Sequence, residues 1–250
     1  MKFGRRGNHQ PKTRLKDHLC ASLPAPPASV DYSPAATQAL AEMYCNDTLG
    51  DCVIAGYYHV LGVATGNAGK EFLATQDQII HDYSAIGGYT PGDDSTDQGC
   101  DEDAAITYWK TNPAADGSSL AGSASVDASN QTECMQALDL FETLYFGLAL
   151  PDAWVTPFPA SSGFVWDVAG DPNPSNGHCI MAMGYNATGV KICSWGMLGT
   201  LTWAAVAKYA VPSAGGALYA LLTPDMLAAG QQKAPNGVAW ADLLKDLSSV

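Results

Sequence analysis

The chain has 250 residues, 47% hydrophobic and 15% charged, enough apolar material for one large domain or two small lobes and too little bias for disorder. Its formal net charge of −13 repels phosphates, which excludes nucleic acid as the main ligand. The charge is uneven: Lys2, Arg5, Arg6, Lys12, Arg14 and Lys16 are half of the twelve basic residues and all precede the first acid, Asp17, leaving −19 on the rest.

Residues 1–28 therefore read as a basic arm ending in the proline-rich linker Leu23–Ala28, and residues 29–250 as the globular body. The expectation for the arm is a solvated terminus, the alternative a segment docked on the acidic body or on an anionic partner. The first nineteen residues contain no apolar signal core, and no apolar run reaches the roughly eighteen residues of a membrane span. The expected setting is cytoplasmic and away from membranes, with a virion as the alternative for a phage-borne gene. Seven cysteines without a CxxC pair exclude zinc-ribbon and thioredoxin motifs and suggest reduced thiols.

Along the body, a helix is expected from Gly50-Asp51 through VIAGYYHVLGVA, with Asp51 as its capping or first-turn residue and Gly66, Asn67 and Gly69 closing it. A second helix covers Glu71 or Thr75 to Ser84. The turn-rich loop GGYTPGDDSTDQG then leads to a third, opened by Asp101 and carrying Ala105, Ile106, Tyr108 and Trp109. A Gly/Ser/Ala stretch over Ala114–Ser129 precedes a helix over Gln131–Glu142. Short strand-like runs follow: YFGLALP, GHCIMAMGYN, GVKICSWG, TLTWAAV and ALYALLTP. A helical first half (about 29–128) and a β-rich second half (about 129–250) suggest an α+β fold of two lobes.

Two segments carry chemistry. In Asn46–Ala55, NDTLGDCVIA, Cys52 stands where a loop turns into a helix. The partial positive charge of a helix N-terminus favours thiolate there, and Gly50 lets backbone approach closely. An inert, buried cysteine at a helix start is the competing reading of this segment taken alone. In Gly177–Asn186, GHCIMAMGYN, His178 opens an apolar strand, where its ring can reach a cleft and hold a thiolate in an ion pair. His9, His18, His59 and His81 read as structural. Cys52, His178 and Cys193 lack chelating spacing, so no metal and no cofactor is expected.

Together these segments resemble the papain-like cysteine peptidases over most of the chain. Ser29-Val30-Asp31-Tyr32 stands where that family has its V-D-W opening, and NDTLGDC where it has Gln-Gly-x-Cys-Gly-x-Cys. Gln98-Gly99-Cys100, with Ala105 and Tyr108, is similar to the Q-G-C-x-G-G stretch and helix. The Gln131–Glu142 helix with YFGLAL resembles the entry to the second lobe, GHCIMAMGYN the histidine strand, and CSWG the Asn-Ser-Trp-Gly motif. A bacterial and phage branch of papain-like proteins shares N-D-x-L-G-D-C, the G-H strand, x-x-W-G and a later T-W, here Thr202-Trp203.

The resemblance implies a helical N-terminal lobe carrying the nucleophile helix and a β-barrel-like C-terminal lobe. It implies Cys52 as nucleophile, His178 as base, Asn46 as the oxyanion-hole side chain, Gly50 on the substrate path, and Trp195 covering the histidine from water. The substrate would be a peptide or protein, cut through a thioester. The sequence also departs from the pattern. Cys193 holds the position of the orienting asparagine, where a thiol accepts weakly. Glu102-Asp103 replace the glycine pair that binds substrate backbone, and would narrow the cleft and favour a basic residue or free amine. Leu49 replaces the cysteine that would pair with Cys100, leaving Cys45 as the only substitute partner. Two other readings stay open: a papain-fold structural or binding module, and amidase or transglutaminase-like acyl transfer.

Overall fold

The computed structural model describes residues 1–7, 14–15 and 25–229. Strand β1 (Val30–Asp31) leads to helix α1 (Cys52–Asn67), which is buried on every side from Cys52 to Gly66. A helix apolar all round belongs in an interior, and α1 accordingly runs through the middle of the molecule against the sheet. Helix α2 (Gln76–Gly87) starts in a capping box: Thr75 Oγ1 accepts from Gln78 N–H while Gln78 accepts from Thr75 N–H, and Gly88 closes the helix at φ +77°. In α3 (Glu102–Thr111), Asp101 accepts the Ala104 N–H at 2.7 Å.

Strand β2 (Gly122–Ser125) precedes α4 (Gln131–Phe141), β3 (Leu144–Ala149), α5 (Asp152–Val155) and β4 (Phe164–Trp166). Then come β5 (Gly177–Tyr185), β6 (Gly189–Ser194), β7 (Met197–Thr202), α6 (Trp203–Tyr209), β8 (Ala217–Leu222) and α7 (Pro224–Ala229). The strands form one sheet in the order β2-β8-β3-β5-β6-β7-β4, with β1 paired to β5. All pairings are antiparallel except β4 with β7.

Strand β5 positions the site. All nine of its residues are buried, because both faces of the sheet are covered there. Side chains alternate along a strand, so Ile180 and Ala182 join one apolar cluster with Leu138, Phe146 and Ile192. Cys179, Met181 and Met183 join the other with Ile54, Tyr57 and Trp109 of the helical part. The fold is α+β.

Three expectations change. TLTWAAV is not a single strand: it breaks at Thr202, whose hydroxyl accepts the Ala205 N–H at 3.2 Å and starts α6. The Gly/Ser/Ala stretch contains β2. The arm is docked on the body over residues 1–7, with Arg5 buried and the Gly4 and Arg5 N–H groups bonded to Gly177 while Met1, Lys2, Arg6 and Gly7 keep solvent contact; of its remaining residues, 14–15 and 25–28 are described. Cys45 and Cys100 are free thiols. No helix among the described residues is long and apolar enough to cross a membrane.

Candidate active site

Cys52 is the first residue of α1, and its backbone N–H belongs to the turn whose later amides, Ile54 and Ala55, already bond the Asp51 carbonyl. Its Sγ accepts the Cys179 N–H at 3.4 Å, tying the helix start to the strand that carries His178. Cys52 and His178 are each 1% exposed and line one small cavity of about 10 Å³ with Asn46, His59, Ser194 and Trp195. A space of that size holds at most about one water.

The imidazole is held on two sides. His178 Nε2 lies 2.9 Å from Ser194 Oγ, and the Trp195 indole stacks on the ring with centroids 4.1 Å apart and planes 19° apart. Trp195 takes a left-handed backbone conformation (φ +51°), followed by Gly196 at φ +65°. His178 Nδ1 is buried without a hydrogen-bond partner. The ring nitrogen that the serine does not use is therefore unengaged, in a ring that lines the same cavity as Cys52.

Residue 193 does not orient the histidine. The Cys193 Sγ–H donates to the Leu40 carbonyl at 3.3 Å, and the adjacent Ser194 meets the imidazole instead. Asn46 lines the cavity as expected from its position, with its Nδ2 donating to the Leu49 carbonyl at 3.0 Å. Asp51 stands at the N-cap of α1, yet its side chain makes no capping bond and both oxygens are buried without partners. Burial holds this carboxyl, the residue before Cys52, well above the usual carboxylate range. His59, read from sequence as a packing residue, borders the same cavity and bonds the Glu42 carbonyl through Nε2 at 3.0 Å.

The site is closed by residues 1–7. Phe3 packs edge-on to His178 and to Trp195, with ring centroids 6.1 Å apart in both cases. Gly4 crosses Gly50 so closely that a Cβ on Gly4 would collide with the Gly50 carbonyl. Gly4 and Arg5 N–H groups donate to the Gly177 carbonyl at 3.2 and 3.1 Å, and Cys100 N–H donates to the Gly4 carbonyl at 2.8 Å. Beyond them Arg5 and Glu102 form a buried ion pair at 2.6 Å. Glu102 thus points inward to a cation, while Asp103 accepts a hydrogen bond from Tyr219 at 2.6 Å.

Enclosure sets the protonation state. Burial pushes the Cys52 thiol up to about 12, with nearby carboxyls adding to the rise and the N–H groups of Cys179 and Gly4 partly opposing it. Burial also pulls the His178 imidazole down to about 3. Covered as it is, the pair rests as neutral thiol and neutral imidazole, not as the ion pair expected of a helix-start cysteine. Residues 1–7 were not legible as site residues from local pattern, because an isolated basic run usually stays in solvent.

Neither a protein-family model nor a curated protein matches the chain. Among solved structures, the cysteine protease xylellain from Xylella fastidiosa is 13% identical, with a TM-score of 0.59 over 88% of this chain and 95% of that one. Digestive procathepsin L 3 of Tenebrio molitor larval midgut is 13% identical, with a TM-score of 0.57 over 88% and 76%. The cysteine protease and lectin-like domains of Cwp84 from Clostridium difficile are 9% identical, with a TM-score of 0.59 over 89% and 57%. The chain has the papain-like fold.

Proposed function

We propose that the chain is a cysteine peptidase in which Cys52 attacks a peptide carbonyl and His178 moves the proton. The observation that carries this reading is the convergence of the first residue of α1 and the second residue of β5 on one cavity, with His178 Nδ1 left without a partner. With Nε2–H donating to Ser194, Nδ1 takes the Cys52 proton and the thiolate attacks. The Cys52 N–H and, after release from Leu49, the Asn46 amide stabilise the oxyanion. His178 returns the proton to the leaving amine, and water resolves the thioester by the same base. An amine in place of water would make the reaction acyl transfer.

Residues 1–7 must leave the cleft before substrate enters. Their presence, with the thiol at about 12, favours a second reading: a papain-fold binding module whose cysteine does no chemistry. One experiment separates the two. The purified chain and its Cys52→Ala and His178→Ala variants are incubated at neutral pH with a mixture of defined peptides, and cleavage is read by mass spectrometry. The peptidase reading expects cleavage by the parent chain that falls to background in both variants. Intact peptides throughout, or cleavage that survives Cys52→Ala, overturn it.

A further inference from the structure

The Arg5 side chain fills a closed slot near Cys52, next to the Gly4 backbone that reaches the sulfur. Its side chain is 2% exposed and that of Glu102 3%. Nε donates to Glu102 Oε1 at 2.6 Å, Nη1 donates to the Gly215 carbonyl at 2.5 Å, and Nη2 is buried without a partner. The slot exists because β3 carries glycine at its wall: a Cβ on Gly147 would collide with both Glu102 and Arg5.

The surroundings are built to hold extended backbone as well. The Gly177 carbonyl takes two N–H groups of the segment, and the Cys100 N–H and carbonyl bond to Gly4 and Arg6. A main-chain clamp thus runs beside the sulfur, and a charged slot reads the side chain next to it. A carboxyl this deeply buried either pairs with a cation or takes up a proton, and Glu102, bonded at 2.6 Å to a guanidinium, is of the first kind. Two acceptors set apart, Glu102 and the Gly215 carbonyl, suit the planar fork of a guanidinium better than the single point of an ammonium.

We propose that this slot is an arginine subsite of the cleft, so that ligands carrying arginine beside the residue over Cys52 are the ones it takes, with Arg5 as its present occupant. For such a ligand to be a substrate the peptidase reading must hold; its binding does not depend on that reading.

The test uses the full chain with Arg5→Ala to vacate the slot and Cys52→Ala to prevent turnover. The probes are acetyl-Phe-Gly-Arg-Arg-amide and the same peptide with norleucine in place of its first arginine, titrated by calorimetry. The arginine peptide should bind about tenfold or more tightly than the norleucine peptide, and adding Glu102→Gln should bring the two within about threefold. Equal binding of both peptides, or binding of neither by the folded variant, overturns the subsite.

Arg5→Ala leaves Glu102 buried alone, and the chain then fails to fold in the worst case. Arg5→Ala with Glu102→Met removes both charges, keeps the wall of the slot filled and leaves the slot vacant. This pair should bind the norleucine peptide at least as tightly as the arginine peptide, and a retained arginine preference contradicts the proposal. A Cys52-intact Arg5→Ala chain that binds the arginine peptide but cuts nothing sinks the peptidase reading alone. Cleavage without arginine preference sinks the subsite alone.

Discussion

His178 Nε2 lies 2.9 Å from Ser194 Oγ, while the preceding residue, Cys193, turns its thiol to the Leu40 carbonyl. Successive side chains of a strand point to opposite faces, so on β6 only one of the two can meet the imidazole, and it is the serine. Ser194→Ala should lower kcat on the order of tenfold with little change in KM, well short of the 10²–10⁴-fold that a general base itself supplies. Ser194→Thr should restore most of it. Cys193→Ala should change turnover by no more than about threefold, since its thiol does not touch the ring. Steady-state kinetics on the four proteins check this, and a larger loss in Cys193→Ala than in Ser194→Ala would reverse the assignment.

Glu142 ends α4 in a left-handed conformation (φ +60°), with its Oε2 buried and unpaired. Burial raises its carboxyl to about 7. An acid whose folded pKa lies above its unfolded value contributes stability that is complete below the unfolded value, near 4.5, and is lost as pH rises through about 7. Between pH 5 and pH 8 the parent chain should therefore lose up to about 3 kcal/mol that Glu142→Gln does not lose. Urea midpoints at the two pH values measure it, and parallel slopes for the two proteins would remove Glu142 from the account.

Trp109 stacks on Tyr57 with centroids 3.7 Å apart and planes 14° apart, and its Nε1–H donates to Asp82 Oδ2 at 2.9 Å. Tyr58 donates to the same carboxylate at 2.7 Å. Trp109→Phe keeps an aromatic ring against Tyr57 but takes one donor from a buried carboxylate, at a cost of about 1–3 kcal/mol. Asp82→Asn in the same background should recover part of that loss, because a neutral amide needs less compensation. Denaturant unfolding of the single and double variants reads it, and additive losses would mean that Trp109 and Asp82 are uncoupled.

Much of the helical part was legible because its punctuation is local. Thr75, Asp101 and Asn130 each cap the helix that follows, and the Gly50-Asp51-Cys52 step marks where α1 begins. The apolar run of β5 was equally plain. TLTWAAV misled because seven apolar or small residues fit strand or helix alike, and the deciding feature is one capping bond at Thr202. The strand in Gly122–Ser125 has small side chains and is defined by its pairing with β8, far away in sequence. The covering of the site was the least legible. Arg5 and Glu102 are ninety-seven residues apart, and the close crossing of Gly4 over Gly50 leaves no periodic trace. The position of Cys193 marked a weak orienting group with Ser194 as one of the candidate substitutes, and the register of β6 decides for the serine.

The central claim is that Cys52 is a nucleophile activated by His178 once residues 1–7 are out of the way. Its most direct test is modification at pH 7 by an epoxysuccinyl peptide, with the site found by peptide mass mapping. The account predicts an adduct on Cys52 and on none of the other six cysteines, formed slowly in the parent chain. The rate should rise about tenfold or more in Arg5→Ala, where the cover is loosened, and fall to background in Arg5→Ala/His178→Ala. Modification of Cys52 that is indifferent to His178, or a Cys52 that stays unmodified in a folded Arg5→Ala chain, would contradict it.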